Sequence, residues 1–255
     1  MSLFAQIESW LSPPPSEAKV GWIYGATFAH RGLHGPGAVE NSPRAFAAAI
    51  ARGLAIECDI QRSADGQAMV FHDWELDRLT SESGPVAQQS AAQLGAIRLG
   101  ESEDTIPTLR QLLDQVAGRV PLLIEVKSKR EMKVSAICLA VREALDGYRG
   151  HHAVMSFDAR VSRWFAEQSP QAVRGLVLTE ENDRGCAGTL RRHAMLWHAR
   201  PDFLSYDIRD LPSKFASAQR SRGLPVVTWT VRRPELLERA AIYADAPTVE
   251  GAGVA

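Results

Sequence analysis

Short apolar runs alternate with amphipathic segments along most of the chain, and this alternation is the feature that most restricts the fold. Eight runs have the length of a buried strand: 27–30, 54–59, 122–127, 153–157, 175–178, 203–206, 226–230 and 242–245. Helical periodicity is found at 42–52, 109–117, 132–145, 159–168, 187–198, 213–221 and 235–240. Strands that are apolar throughout are typical of a parallel sheet covered on both faces. The alternation predicts an α/β fold, a TIM-type (β/α)₈ barrel, with residues 1–255 as a single domain.

One further strand-like run, residues 68–72, does not fit the eightfold alternation. Only a few residues separate it from the run at 54–59, whereas a parallel crossover needs about a dozen or more. The dipeptide Asp65-Gly66 lies between the two runs and favours a hairpin turn. We therefore expect an extra antiparallel strand, hairpinned to the second barrel strand, that brings His72 level with the acidic residues of that strand.

Charge and composition narrow the classes of function. The 255 residues carry a formal net charge of −1, so the chain as a whole does not attract nucleic acid. The three cysteines, Cys58, Cys138 and Cys186, fit neither a zinc motif nor a disulfide framework. The N-terminus lacks the basic region of a signal peptide, and no apolar run approaches the ~20 residues of a membrane span. We expect a cytoplasmic protein without an integral membrane segment; its oligomeric state is left open.

Polar and charged residues occur at the ends of three predicted strands and on the hairpin. They are His30-Arg31, Glu57-x-Asp59, His72-Asp73 and Glu125-x-Lys127. In a barrel of this class, the active site forms at the rim where the strands end. Two residues that are two positions apart on a strand share one face, so each x-separated pair points the same way. A carboxylate in an apolar strand is costly unless it is paired or binds a metal.

These residue types favour metal-assisted hydrolysis of an anionic diester. Three carboxylates without a cysteine ligand favour a hard cation such as Mg²⁺, Ca²⁺ or Mn²⁺. The two histidines supply an acid and a base near neutral pH, and Arg31 and Lys127 supply positive charge for a phosphate. Each feature alone has a structural alternative: a buried Glu–Lys pair is often a salt bridge, and a histidine at a strand end is often a packing residue. Their shared rim favours the functional interpretation.

Residues 29–80 read AHRGLHGPGAVENSPRAFAAAIARGLAIECDIQRSADGQAMVFHDWELDRLT. This stretch resembles the signature of the glycerophosphodiester phosphodiesterase family, and the resemblance runs from about residue 27 to 247. The matching pieces are His30-Arg31-Gly32, Glu40-Asn41-Ser42, Gly53, Glu57-x-Asp59, Asp65-Gly66, His72-Asp73 and Leu76-x-Arg78-Leu79-Thr80. The segments IPTLRQLL and LLIEVKS continue the resemblance, with weaker matches at 156–158, 228–231 and 244–247. It covers nearly the whole chain, and the combination is far more specific than any one piece.

The resemblance implies a TIM-type barrel, one divalent cation, Mg²⁺ or Ca²⁺, and a small-molecule glycerophosphodiester substrate. It assigns the metal ligands to Glu57, Asp59 and Glu125, the acid–base pair to His30 and His72, and the phosphate contacts to Arg31 and Lys127. It also places Trp229 as a wall beside the glycerol group. The products would be glycerol 3-phosphate and an alcohol.

Two departures from the family pattern touch none of these residues: Ser42 and Ala244 each replace a threonine. A Schiff-base enzyme would need a neutral Lys127, which the neighbouring carboxylates disfavour. A zinc hydrolase would need a His-x-His pair on an early strand, and His30 has no such partner. Two alternatives stay open: a lysophospholipase D-like phosphodiesterase on the same barrel, and a barrel that binds phosphodiesters without turnover. Choline, ethanolamine, glycerol and inositol esters are all candidate substrates.

For the reaction, we expect the two histidines to exchange roles over two steps. One removes a proton from the glycerol hydroxyl next to the ester, while the other protonates the leaving alkoxide. A neighbouring hydroxyl has the advantage of proximity over water, so the first product would be a cyclic glycerol phosphate that water then opens. Direct attack by water is the alternative, and the sequence does not say which histidine is the first base.

Overall fold

The computed structural model describes residues 3–181 and 183–254. In chain order, its β-strands are β1 (Phe28–Ala29), β2 (Ala55–Arg62), β3 (Ala68–Val70), β4 (Leu122–Val126), β5 (His152–Ser156), β6 (Val173–Leu178), β7 (Phe203–Asp207), β8 (Val226–Val231) and β9 (Ala246–Val249). Its α-helices are α1 (Leu3–Leu11), α2 (Glu17–Val20), α3 (Pro43–Ala51), α4 (Ala91–Leu94), α5 (Leu109–Val116), α6 (Val134–Leu145), α7 (Ala159–Gln168), α8 (Cys186–Ala199), α9 (Lys214–Ser221) and α10 (Pro234–Tyr243).

The chain divides into two compact units. One is formed by residues 28–152, and the other by residues 153–253 together with the N-terminal segment up to residue 27. We refer to them as the 28–152 unit and the 153–253 unit. The prediction of a single domain is not tested by this division and stays a prediction.

In the 28–152 unit, β2 is the central strand. It pairs in parallel with β1 and with β4, and in the latter pairing Asp59 lies opposite Glu125. The strand β2 also pairs with β3, in antiparallel orientation, with Ile60 opposite Val70. The extra antiparallel strand is therefore confirmed, although its last residue is Val70 rather than His72.

The hairpin between β2 and β3 sets the level of the residues that follow it. Its turn is closed by a hydrogen bond of 3.0 Å from the Ser63 amide to the Gln67 carbonyl oxygen. Gly66 has φ +93°, a left-handed conformation that glycine adopts without strain. Beyond β3, the Phe71 amide still donates to the Asp59 carbonyl oxygen at 3.0 Å. His72 is the next residue along the chain, so it lies level with the acidic residues of β2.

A satellite hydrophobic cluster anchors the long connection between His72 and α5. Its buried members are Met69, Phe71, Leu76, Val86, Leu94, Leu99 and Ile106. Full burial of one such side chain contributes about 1.5–3 kcal/mol of transfer free energy, so the cluster fixes this connection against β3. The His72-Asp73 pair and Arg78 therefore belong to an ordered segment rather than to a loose loop.

The 153–253 unit contains β5 to β9, which pair in parallel in that order, as Leu204 opposite Val226 illustrates. The helices α7 to α10 lie between successive strands. Gly175 on β6 is packed by the Phe203 ring so closely that any side chain at this position would collide with the ring. The helix α1 is fixed to this unit through Glu8, whose Oε1 lies 2.7 Å from His193 Nδ1 of α8.

The last strand lies at a different place from the predicted run at 242–245. Ile242 and Tyr243 end α10, and the Ala244 amide still donates to the Ala240 carbonyl oxygen at 2.8 Å. The strand β9 begins only at Ala246. The prediction was wrong because it took an apolar pair for a buried strand, whereas Ile242 is 63% exposed on the helix surface.

No helix within residues 3–181 and 183–254 combines the length and the hydropathy that crossing a membrane requires.

Candidate active site

Three carboxylates converge within the 28–152 unit. Glu57 and Asp59 lie on the same face of β2, and Glu125 on β4 is level with Asp59. All three residues are buried, with exposed fractions of 2%, 2% and 8%. One carboxylate oxygen from each lies within 4.8 Å of the others. The structure thus brings together the three residues that the sequence predicts as metal ligands.

The electrostatics of this cluster differ from one carboxylate to the next. Burial, followed by repulsion from Asp59 and Glu125, raises the pKa of Glu57 well above its ordinary value. Burial also raises the pKa of Glu125, against the attraction of Lys127. For Asp59, burial is outweighed by Lys127 and Arg31, which hold its pKa below the usual range. With all three carboxylates ionised, the cluster would carry more buried negative charge than Arg31 and Lys127 neutralise.

This unmet charge suits a hard divalent cation. All the converging donors are carboxylate oxygens, the ligand type that Mg²⁺ and Ca²⁺ prefer. A cation bound among them would remove the mutual repulsion that raises the pKa of Glu57. The donor set and its electrostatics thus fit the ion that the sequence predicts, and the three carboxylates would hold it.

Lys127 lies against the same cluster. Its Nζ donates to Glu125 Oε1 at 2.7 Å and lies 2.8 Å from Asp59 Oδ1. Burial alone would lower the pKa of Lys127, but the two carboxylates outweigh it and raise the pKa above its ordinary value. The ammonium group therefore stays protonated, which does not support the Schiff-base alternative.

Arg31 is held by three carboxylates. Its backbone amide donates to Glu57 Oε2 at 3.0 Å, and its Nη1 donates to Glu40 Oε1 at 2.6 Å. Its Nε lies 3.3 Å from Asp59 Oδ2. The residue has φ +56°, a left-handed conformation that is uncommon for a residue with a side chain. The turn therefore places both the amide and the guanidinium of Arg31 beside the predicted metal ligands.

Asn41 is a site residue that sequence reasoning did not single out. Its Nδ2 donates to Asp59 Oδ2 at 2.9 Å, and its Oδ1 accepts from the Asp59 amide at 3.3 Å. Ser42 then caps α3, since its hydroxyl accepts from the Ala45 amide at 3.1 Å. The Glu40-Asn41-Ser42 motif thus combines an arginine partner, a ligand-orienting amide and a helix cap, and the motif was the signal available in the sequence.

The two predicted acid–base histidines lie in the same unit but are held differently. His30 Nε2 lies 4.0 Å from Glu57 Oε2. His72 Nδ1 lies 2.6 Å from Asp73 Oδ1. Hydrogen bonds from Arg78, opposed by burial, and then from His72 lower the pKa of Asp73 to about 2. Since Asp73 is ionised near neutral pH, the short contact favours the tautomer in which His72 Nδ1 is the donor, and Nε2 is then the nitrogen that the predicted acid–base role requires.

A cleft of about 390 Å³ lies beside His72 and Lys127. Its other lining residues are Asp73, Trp74, Glu75, Asp77 and Arg78. The ammonium of Lys129 lies 4.4 Å from the centroid of the Trp74 ring, a cation–π contact. The cleft is large enough for part of a small-molecule substrate, next to a predicted acid–base residue and a predicted phosphate contact.

Trp229, the predicted wall of the glycerol site, lies on β8 of the 153–253 unit. Its ring contacts Phe157 edge to face, with centroids 5.5 Å apart. The indole nitrogen is buried and has no hydrogen-bond partner among the described residues. The role of Trp229 at the site stays a prediction.

The fold and these side chains define a class of protein, a barrel phosphodiesterase of the α/β type. Residues 30–254 match the model of the glycerophosphoryl diester phosphodiesterase family. The chain belongs to this family and is a glycerophosphodiester phosphodiesterase, as the sequence predicts.

Relatives from several bacteria agree with this assignment. A Bacillus subtilis (strain 168) protein, described as a putative glycerophosphodiester phosphodiesterase and called YhdW, is 28% identical to this chain over 217 residues. The match covers 80% of this chain and 84% of YhdW. A glycerophosphodiester phosphodiesterase of Caldanaerobacter subterraneus is 26% identical over 225 residues, covering 83% of this chain and 87% of that one.

A solved structure is similar to this chain over most of its length. The Oleispira antarctica phosphodiesterase, in complex with its product sn-glycerol-3-phosphate, has a TM-score of 0.78 at 22% identity. The match covers 89% of this chain and 93% of that one. At this identity the likeness concerns the fold. It confirms the predicted class, a TIM-type (β/α)₈ barrel with an extra antiparallel strand on the second barrel strand.

Proposed function

We propose that this enzyme hydrolyses glycerophosphodiesters to glycerol 3-phosphate and an alcohol, with one divalent cation, Mg²⁺ or Ca²⁺, held by Glu57, Asp59 and Glu125. The observation that carries the proposal is the convergence of these three buried carboxylates beside two protonated cations, Arg31 and Lys127. The product found in the Oleispira antarctica structure supports the same products here.

The charge of the substrate explains why this arrangement is needed. A phosphodiester carries one negative charge that repels an attacking oxygen, and its alkoxide leaving group is poor. Arg31 and Lys127 contact the phosphate and stabilise the charge that grows in the transition state. A divalent cation held by Glu57, Asp59 and Glu125 would supply further positive charge at the phosphate. The carboxylates Asp59 and Glu125 keep Lys127 protonated for this task.

The histidines perform the proton transfers. In its neutral form, with Nδ1–H directed at Asp73, His72 has a lone pair on Nε2 that can accept a proton, and it can later return that proton as an acid. His30 performs the complementary transfer on the other side of the phosphorus. The first nucleophile is the glycerol hydroxyl adjacent to the ester, which gives a cyclic glycerol phosphate that water opens in the second step. The family resemblance further assigns Trp229 to the glycerol group, and a Trp229→Ala variant with a raised KM would support this assignment.

The deciding experiment is an assay with titrated Mg²⁺ or Ca²⁺ on glycerophosphocholine, -ethanolamine, -glycerol and -inositol, with a lysophospholipid alongside. Metal-dependent release of glycerol 3-phosphate from the water-soluble diesters supports the proposal. Faster release of a lysophosphatidic acid from the lysophospholipid would favour the lysophospholipase D-like alternative. Binding of the diesters without turnover at any metal concentration would contradict the proposal and favour a barrel that only binds.

The cyclic step has a test of its own. A glycerophosphodiester whose adjacent hydroxyl is replaced by hydrogen cannot form the cyclic phosphate, so we expect the enzyme not to turn it over. Turnover at the normal rate, with the normal metal requirement, would rule out the cyclic route while leaving the phosphodiesterase assignment in place.

A further inference from the structure

Glu40 joins two arginines within the 28–152 unit. Its Oε1 accepts from Arg31 Nη1 at 2.6 Å and from Arg78 Nη2 at 2.7 Å, while its Oε2 accepts from Arg78 Nη1 at 3.0 Å. Burial would raise the pKa of Glu40, but the bonds from Arg78 and Arg31 outweigh it and lower the pKa below its ordinary value. Glu40 is therefore ionised, and it ties the predicted phosphate contact Arg31 to a second arginine.

Arg78 continues the chain of charges to His72. Its Nη2 donates to Asp73 Oδ1 at 2.9 Å, and its Nε donates to Asp73 Oδ2. Asp73 in turn accepts from His72 Nδ1 at 2.6 Å. One guanidinium thus bonds two carboxylates along two of its edges, a geometry that the planar fork of arginine allows and a lysine ammonium cannot reproduce.

The placement of Arg78 is unusual for a partly exposed arginine. Its side chain is 48% exposed, yet all three of its nitrogens donate to carboxylates. Exposed ion pairs ordinarily contribute little and leave the side chain mobile. Here the neighbouring Leu76 is fully buried in the satellite hydrophobic cluster, so the backbone that carries Arg78 is fixed. This series of ion pairs begins at Arg31, the predicted phosphate contact, and ends at His72, a predicted acid–base residue.

We propose that Glu40 and Arg78 are positioning residues that hold Arg31 and His72 at a fixed separation across the reacting phosphate. This inference rests on the proposed function. Arg78 acts through Asp73 on the orientation and tautomer of His72, whereas Glu40 acts on Arg31 directly and on His72 through Arg78. A shift of either end changes the distance between the group that binds the phosphate and the group that transfers the proton, to which the rate of a positioned reaction is sensitive.

The test compares steady-state kinetics of Arg78→Ala, Arg78→Lys and Glu40→Gln on the glycerophosphodiester that wild type hydrolyses fastest. We expect Arg78→Ala to lower kcat by about 10- to 100-fold with KM within about threefold of wild type, the range typical of lost outer-shell support. Glu40→Gln should lower kcat and also raise KM, since it loosens Arg31. Arg78→Lys should recover only part of kcat, because the ammonium cannot bond both carboxylates.

The double variant Glu40→Gln/Arg78→Ala sharpens the test. If the two residues act as one unit, its kcat should be no lower than that of the worse single variant. The matched control is Arg98→Ala, which removes the exposed pair with Glu103 in the same unit and should leave kcat and KM unchanged. Arg78→Ala kinetics equal to those of the control would overturn the proposal, as would full recovery of kcat by Arg78→Lys.

A second readout does not depend on turnover. The ¹⁵N chemical shifts of His72 report its tautomer, and in wild type they should show a protonated Nδ1. In Arg78→Ala we expect a mixture of tautomers, with the thermal midpoint close to that of the Arg98→Ala control. An unchanged His72 spectrum would refute the positioning role even in an active enzyme. A different outcome separates the two proposals. If wild type hydrolyses no diester while Arg78→Ala still shows the mixture of His72 tautomers, the proposed function is contradicted and the positioning contact is supported.

Discussion

Each unit of the molecule buries carboxylates, but in very different surroundings. In the 153–253 unit, Glu8 of α1 is 2% exposed. It accepts from His193 Nδ1 at 2.7 Å and from Gln219 Nε2 at 2.8 Å, and Arg222 Nη1 lies 3.4 Å away. These three partners lie on α8, on α9 and at the residue after α9, so the Glu8 carboxylate fixes α1 to the unit. A buried carboxylate whose oxygens are bonded by side chains of neighbouring helices has a structural role, because it holds those helices together.

In the 28–152 unit, Glu57, Asp59 and Glu125 face one another instead. Their own repulsion, added to burial, raises the pKa of Glu57 and of Glu125. Three buried carboxylates that repel one another destabilise the folded chain unless a cation binds among them in addition to Arg31 and Lys127. Stability alone therefore does not explain the cluster. Burial of one acid thus fits a structural role, whereas the mutual repulsion of three buried carboxylates favours a cation site.

The largest contrast is expected between histidines of the two units. His72→Ala and His30→Ala should each lower kcat by about 10²- to 10⁴-fold, the usual contribution of general acid–base catalysis. The matched control is His193→Ala, which removes the donor to Glu8 and should lower the thermal midpoint while leaving kcat unchanged. The two catalytic substitutions should also combine non-additively, because the pair acts as a unit. Loss of kcat in all three variants alike would show that the assay reports folding rather than chemistry.

A second contrast uses the carboxylates themselves. Glu57→Gln should lower kcat by about 10³-fold, because the bound cation contributes several kcal/mol to transition-state stabilisation. Its free energy of unfolding without metal should not fall, since the substitution removes repulsion. Glu8→Gln should do the reverse: kcat is unchanged, and the free energy of unfolding falls by about 1–3 kcal/mol, because buried donors lose a carboxylate acceptor. Equal effects of the two substitutions on the free energy of unfolding would contradict the assigned difference between the Glu57 and Glu8 sites.

Metal binding gives a third contrast. A cation at 100 times its dissociation constant should stabilise the wild-type protein by about 2.7 kcal/mol, measured as a rise in the thermal midpoint. Glu57→Gln should lose this rise, whereas Glu8→Gln should retain it in full. Activity should disappear with a chelator and return when Mg²⁺ or Ca²⁺ is added. A rise of the same size in Glu57→Gln would place the cation elsewhere.

The apolar runs predict a strand correctly where their side chains are buried in the structure, and wrongly where the side chains are exposed. Leu122–Val126 is buried along its whole length and was predicted within a residue. Ile242 and Tyr243 looked equally apolar, but they lie on the exposed surface of α10. Local hydrophobicity does not say which side of a helix end faces solvent. That information comes from the packing of the whole unit.

The site was predictable to the extent that strand geometry determines it. Glu57 and Asp59 share a face because they are two apart, and a sequence shows that spacing directly. Glu125 lies level with Asp59 through the register of β2 on β4, which only the family resemblance could indicate. The roles of Asn41, Glu40 and Arg78 were missed because their partners come from distant segments: Asn41 bonds Asp59, and Arg78 bonds Glu40 across 38 residues.

The smallest expected effect concerns Asp73, and its sign follows from its pKa. Hydrogen bonds from Arg78, opposed by burial, and then from His72 lower this pKa from 3.8 to about 2. A carboxylate with a depressed pKa stabilises the folded state above its unfolded pKa, and this contribution is lost as the pH falls through the folded value. Because Asp73 and Arg78 are partly exposed, solvent screening limits the contribution to about 1 kcal/mol or less.

The free energy of unfolding of wild type and of Arg78→Ala, measured by urea titration, should therefore differ by a constant amount above about pH 5. Below about pH 5 the difference should shrink as the pH falls towards about 2, because Asp73 becomes protonated and Arg78 loses this partner. The pKa of Glu40 is also lowered, so its loss of charge on acidification acts in the same direction. In an Asp73→Asn background, removal of Arg78 should cost less, and what is left reports the bond to Glu40. Arg98→Ala, which removes an exposed pair, should show a smaller difference at every pH. A wild-type advantage that stayed the same down to pH 2 would mean that Arg78 stabilises the unit through its packing, and not through the two carboxylates that join Arg31 to His72.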